Sequence, residues 1–101
     1  MKYTLYMFEH YEAKGGAADR LTEFNTLRSA ITFVESLYEL YEVNNKAAQK
    51  FMLDNFGEEF KFWYADSLEF NIFNNYSKKI IAWGDNKQTH TLGDLSKWKK
   101  K

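Results

Sequence analysis

The sequence predicts a single α+β domain in which a mostly antiparallel sheet packs against two helices, and three observations carry that prediction. Residues 3–11 and 68–83 alternate side chains at the two-residue period of strands. Residues 27–41 instead repeat apolar side chains at three- and four-residue intervals, the helical period. With 45% hydrophobic and 19% aromatic residues in 101, the chain can fill one modest core and is too short for two.

The elements follow in order. Tyr3, Leu5, Met7, Glu9 and Tyr11 share one face of a first strand, and Thr4, Tyr6, Phe8, His10 and Glu12 share the other. Lys14 to Asp19, with Gly15-Gly16, reads as a wide loop, and Arg20 to Phe24 as the return strand of a hairpin. Thr26 suits an N-cap because its hydroxyl can accept from the free amides of a first helical turn. Behind it, Leu27, Ala30, Ile31, Val34, Leu37, Tyr38 and Tyr41 form an apolar stripe, with Arg28, Thr32, Glu35, Ser36, Glu39 and Glu42 opposite. Asn44-Asn45 breaks this helix.

A second helix is expected from Lys46 to Phe56, with Ala48, Phe51, Met52 and Phe56 inward and Gly57 ending it. Phe60, Phe62 and Tyr64 alternate as in a strand, yet Glu58-Glu59 extends the helix equally well, so residues 58–65 stay open between the two. Residues 68–74 and 78–84 read as a hairpin around the turn Asn74-Asn75-Tyr76-Ser77. Asp85 to Thr91 reads as polar loop, and residues 92–101 as a short basic tail, helical or frayed.

The absence of cysteine removes disulfides, thiolate metal sites and a cysteine nucleophile. The apolar start of the chain is interrupted by Glu9, His10 and Glu12 before it reaches signal-peptide length, and no stretch has the roughly 18 apolar residues of a membrane span. A location in the cytoplasm, with no membrane partner, is the expectation. Formal net charge is zero but unevenly spread. Residues 1–76 hold 12 acidic and 7 basic side chains, residues 77–101 hold 2 and 7. An acidic body with a basic tail argues against a dedicated DNA-binding footprint.

Glu9, His10 and Glu12 offer acid–base chemistry, and His10 with Glu12 shares a strand face, so a small-molecule-binding or hydrolytic site is one candidate. One histidine with carboxylates is a poor zinc site, and only His90 could add a second imidazole; no metal is expected. The glycine pair fits no phosphate loop, no nucleophile elbow occurs, and no cofactor is implied.

More informative is the surplus of aromatics. If Leu5, Met7, Phe70 and Ile72 face the helices, then Tyr6, Phe8, Phe73, Trp83 and Trp63 lie toward the other face. Such a patch is covered by the C-terminal segment or binds a partner, a second copy in a homodimer included. Glu35, Glu39 and Glu42 form an acidic stripe that is either solvated or docks on a basic surface. Lys97, Trp98, Lys99 and Lys100 could hold phosphates and stack a base, the nucleic-acid alternative.

The opening pattern "YTLYMFEHYE", then "GGAADRLTEF", then "NTLRSAITF" resembles the start of small accessory proteins encoded by bacteriophages, over the first third of the chain. The Lys- and Asn-rich, cysteine-free composition is similar to that of proteins from AT-rich phage genomes. The resemblance carries no functional residue. It implies a setting in which such proteins, anti-CRISPR proteins among them, bind and block a host enzyme or defence complex. The resulting expectation is a non-enzymatic protein that inhibits or modulates a host or defence protein through Glu35, Glu39 and Glu42 or through the aromatic sheet face.

Overall fold

In the computed structural model, which describes residues 2–9 and 19–92, the first strand β1 (Tyr3–Glu9) pairs antiparallel on one side with β2 (Arg20–Phe24). On its other side it pairs antiparallel with β3 (Leu68–Asn74), which continues to β4 (Lys79–Asp85) and β5 (Thr89–Thr91). The order across the five-stranded sheet is β2-β1-β3-β4-β5, antiparallel throughout. Two helices, α1 (Leu27–Val43) and α2 (Asn45–Phe56), pack on one face, so the fold is α+β.

Register decides which side chains meet them. Leu5 opposes Ile72 and Met7 opposes Phe70, and directly opposed residues of an antiparallel pair share a face. All four are at most 1% exposed, in one cluster with Ala30, Ile31 and Val34 of α1 and Ala48 and Met52 of α2. Each such apolar side chain contributes roughly 1.5–3 kcal/mol by leaving water, which anchors the helices to this face.

Both helices begin on an oxygen cap. The Thr26 hydroxyl accepts from the Ser29 amide at 3.1 Å, and the Asn44 side-chain oxygen from the Ala47 amide at 3.1 Å. Asn44 also donates its own amide to the Leu40 carbonyl at 2.8 Å, so one residue closes α1 and opens α2. Gly57 ends α2 at φ 104, a conformation open to glycine and strained for other residues.

Three expectations change. Residues 58–65 form neither a strand nor a helical extension, but two single 3-10 turns, Glu58–Phe60 and Ala65–Ser67, joined by loop. The Phe60/Phe62 alternation has another cause. Gly57 turns the chain, and the two rings meet edge to face at 6.0 Å with Phe62 buried. Phe51 is not inward but 38% exposed, at the rim of an aromatic cluster with Phe33 and Phe56. Residues 89–91, read as loop, are the edge strand β5.

The β3–β4 pairing also carries a bulge between Ile72 and Phe73, with Ile81 as the additional residue. Ile81 and Ala82 are consequently both buried while Ile80 and Trp83 are exposed, which strict alternation would not allow.

Candidate functional site

Helical periodicity puts Glu35, Glu39 and Glu42 on the side of α1 away from the core, all exposed. They do not stand on an open helix surface. The turn between β4 and β5 rises beside them and forms the second wall of a groove of about 600 Å³. Its lining runs from Val34, Glu35, Tyr38, Glu39 and Glu42 on the helix to Asp85 through Thr89 on the turn.

The turn owes its shape to two local features. The Asp85 carboxylate accepts the amides of Lys87 at 2.8 Å and Gln88 at 3.1 Å, while the Asp85 amide donates to the Gln88 carbonyl at 3.0 Å. Gly84 then allows a close approach: a Cβ there would lie 2.1 Å from the Gln88 carbonyl oxygen. Asn86 Nδ2 donates to Glu42 Oε2 at 3.0 Å and ties the turn to α1. The turn wall is therefore fixed by hydrogen bonds, and the helix wall by the buried stripe of α1.

Four carboxylates, Glu35, Glu39, Glu42 and Asp85, line the groove against one ammonium, Lys87. In surface surroundings an opposite charge about 4 Å from a carboxylate gains between roughly 1 and 4 kcal/mol, so the groove favours cationic groups and repels phosphate. Its floor is neutral. Tyr38 is 6% exposed and donates its hydroxyl to the Leu68 carbonyl at 2.7 Å. Burial pushes its phenol pKa far up, and the nearby Asp85 and Glu69 carboxylates push the same way, so Tyr38 stays protonated.

The face of the sheet away from the helices holds the other predicted residues. Tyr6, Phe8, Phe73 and Trp83 share it, as the register requires, with Ile80 and His90 beside them. Trp83 stacks on His90, centroids 5.9 Å apart with the ring planes at 22°. Trp63 does not belong here. It sits in the loop after the first 3-10 turn, 55% exposed, with the Lys61 ammonium 5.1 Å from its ring centroid and its carbonyl accepting from Asn45 Nδ2 at 2.8 Å.

A smaller cavity, about 160 Å³, lies where β1 meets residues 58–63 and includes Glu9, Asp19, Glu58, Glu59 and Lys61. Among the described residues no group of three or more His, Cys, Asp or Glu is arranged to hold a metal ion. Nor is any helix there long and apolar enough to cross a membrane. His10 and Glu12, and Lys97, Trp98, Lys99 and Lys100, lie outside the described residues.

The structure thus brings the glutamate stripe together with residues that sequence reasoning passed over as loop. Asp85 followed by two polar residues and preceded by glycine was the available signal for a tight turn. Nothing in the sequence, however, places that turn against α1 rather than in solvent. Comparison with models of known protein families, with curated proteins and with solved structures finds no match.

Proposed function

We propose that this protein is a non-enzymatic binding module whose acidic groove receives a lysine- or arginine-rich segment of a partner protein. One observation carries the reading: Glu35, Glu39, Glu42 and Asp85 line a concave groove of about 600 Å³ whose turn wall is shaped by its own hydrogen bonds and tied to α1 by Asn86 and Glu42. A concave, preorganised row of carboxylates loses little entropy on binding and steers a basic partner by charge. The resemblance of the first third of the chain to phage accessory proteins adds a setting. In it the protein inhibits a host or defence protein by occupying a basic surface that otherwise holds nucleic acid.

The test is capture from nuclease-treated bacterial lysate with the tagged protein, alongside the variant E35K/E39K/E42K. The three side chains are exposed, so the variant is expected to fold. A partner recovered by the wild type, lost with the variant and displaced by high salt supports the reading. Equal recovery by both proteins contradicts it.

A further inference from the structure

We infer that the basic segment received by the groove binds as an added antiparallel strand on the outer edge of β5, with Lys or Arg at every second residue. This mode of binding rests on the acidic-groove reading and adds to it the conformation and sequence pattern of the partner.

β5 ends the sheet, and among the described residues no strand pairs with its outer side. The ladder to β4 decides which backbone groups are left over. Leu92 donates its amide to the Ile81 carbonyl at 2.9 Å, and the Gln88 carbonyl accepts from the Asp85 amide at 3.0 Å. In an antiparallel pair every second residue exchanges bonds with the residue opposite. His90, midway between Gln88 and Leu92 and opposite Trp83, therefore also turns its amide and carbonyl to β4. Thr89 and Thr91 turn theirs outward, each a donor and an acceptor on the edge, which is a template for a further strand.

The other edge of the sheet is guarded and this one is not. On β2, Arg20 and Glu23 form an ion pair at 2.8 Å, and the ladder to β1 is bulged between Leu5 and Tyr6, with Leu21 the additional residue. Charged side chains and bulges are the usual protection of an edge against another chain. β5 reads Thr-His-Thr, without lysine, proline or a bulge, and threonine favours strands.

Edge and groove are continuous. Thr89 opposes Gly84, which opposes Phe70 of the core face, so the Thr89 side chain is on the helix side, where it lines the groove. Directly opposed residues of antiparallel strands share a face. The residues of an added strand that oppose Thr89 and Thr91 therefore place their side chains on the side of the sheet that holds Glu35, Glu39, Glu42 and Asp85. Four carboxylates against the Lys87 ammonium select Lys or Arg at those positions. The residue between them falls on the opposite face beside His90, stacked on the exposed Trp83, and is favoured when apolar. Strand addition takes affinity from main-chain bonds and specificity from alternate side chains. A basic helix, whose backbone is bonded within itself, gains nothing from this edge.

The test uses the full chain and a labelled peptide in which Arg alternates with Val, compared with the same peptide N-methylated at its Arg residues or at its Val residues. N-methylation keeps every charge and removes amide donors, and in the inferred register only the Arg amides face β5. The Arg-methylated peptide should bind at least about tenfold more weakly than the unmodified one in fluorescence anisotropy, and the Val-methylated peptide within about threefold of it. In hydrogen exchange the Thr89 and Thr91 amides should be unprotected in the free protein and gain protection when the peptide binds. Equal binding by the two methylated peptides, or the greater loss with the Val-methylated one, overturns the inference while the groove stands. Protection of both amides in the free protein overturns it too, because the edge is then already occupied, by the rest of the chain or by a second copy. If the unmodified peptide fails to bind, or binds wild type and E35Q/E39Q/E42Q alike, the acidic-groove reading fails and the inference falls with it.

Discussion

Tyr38 and Tyr41 stand one helical turn apart on the buried side of α1, 6% and 3% exposed, yet their hydroxyls have opposite fates. Tyr38 donates to the Leu68 carbonyl at 2.7 Å, whereas the enclosed Tyr41 hydroxyl has no partner in full hydrogen-bond geometry among the described residues, only the Phe62 backbone close enough to act on its pKa. Removing each with phenylalanine is the same chemical change in two environments. Tyr38→Phe loses a buried bond and strips the Leu68 carbonyl of its side-chain donor, at a cost of roughly 1–2 kcal/mol. Tyr41→Phe removes a desolvated polar group whose Phe62 neighbour is out of full hydrogen-bond geometry, so it should gain up to about 1 kcal/mol or leave stability unchanged.

For a domain near 100 residues, about 1 kcal/mol shifts Tm by roughly 4–8 °C. The two variants should therefore move to opposite sides of the wild type, or at least separate by several degrees. Urea unfolding followed by circular dichroism gives the free energies directly, with the slope of the transition as the check on the denatured state. Equal destabilisation by both substitutions would refute the reasoning, because it would mean that the Tyr41 hydroxyl is hydrogen-bonded in solution.

Three further predictions follow from single contacts. Thr26→Ala removes the acceptor of the Ser29 amide and should cost about 1 kcal/mol in urea unfolding, with Thr26→Ser close to wild type. Gly84→Ala drives a methyl group into the Gln88 carbonyl, 2.1 Å away, and should cost roughly 1–3 kcal/mol. It should also shift the turn that walls the groove, read as lost protection of the Gln88 amide in hydrogen exchange. Burial raises the phenol pKa of both Tyr38 and Tyr41 above the ordinary 10.0; at Tyr41 the Phe62 backbone offsets part of this, and nearby carboxylates add to it at both. Above pH 10 the unfolded chain therefore gives up protons that the folded chain keeps. The stability due to these two groups is fully present below that pH and is lost as pH rises beyond it, a slope that Tyr38→Phe should reduce.

The legible parts of the fold were those set by local chemistry. The cap at Thr26, the apolar stripe from Ala30 to Tyr41, the stop at Gly57 and the alternation of residues 68–74 each depend on near neighbours, and each is present. What the sequence hid depends on distant contacts. The two rings of Phe60 and Phe62 imitate strand alternation because they pack on each other across a loop. Thr89 to Thr91 is too short and polar to announce itself, and is a strand only because β4 offers it an edge.

The candidate site divides in the same way. Periodicity alone groups Glu35, Glu39 and Glu42, and register alone groups Tyr6, Phe8, Phe73 and Trp83. The wall that turns the glutamate stripe into a groove comes from residues more than 40 positions further along, tied back by Asn86 to Glu42. Trp63 was misplaced because its segment lacks the strand that its neighbours suggested.

The central claim is that the groove, and not acidic charge in general, selects a basic segment. It is tested most directly by fluorescence anisotropy with a labelled arginine-rich peptide and two triple variants of equal charge. E35Q/E39Q/E42Q neutralises the groove, while E58Q/E59Q/D66N removes the same charge from exposed positions elsewhere. At roughly 0.5–1 kcal/mol per exposed charge contact, the groove variant should bind about 10- to 100-fold more weakly than wild type. The control should stay within about twofold of it. Equal weakening by both variants, or by neither, would contradict the account.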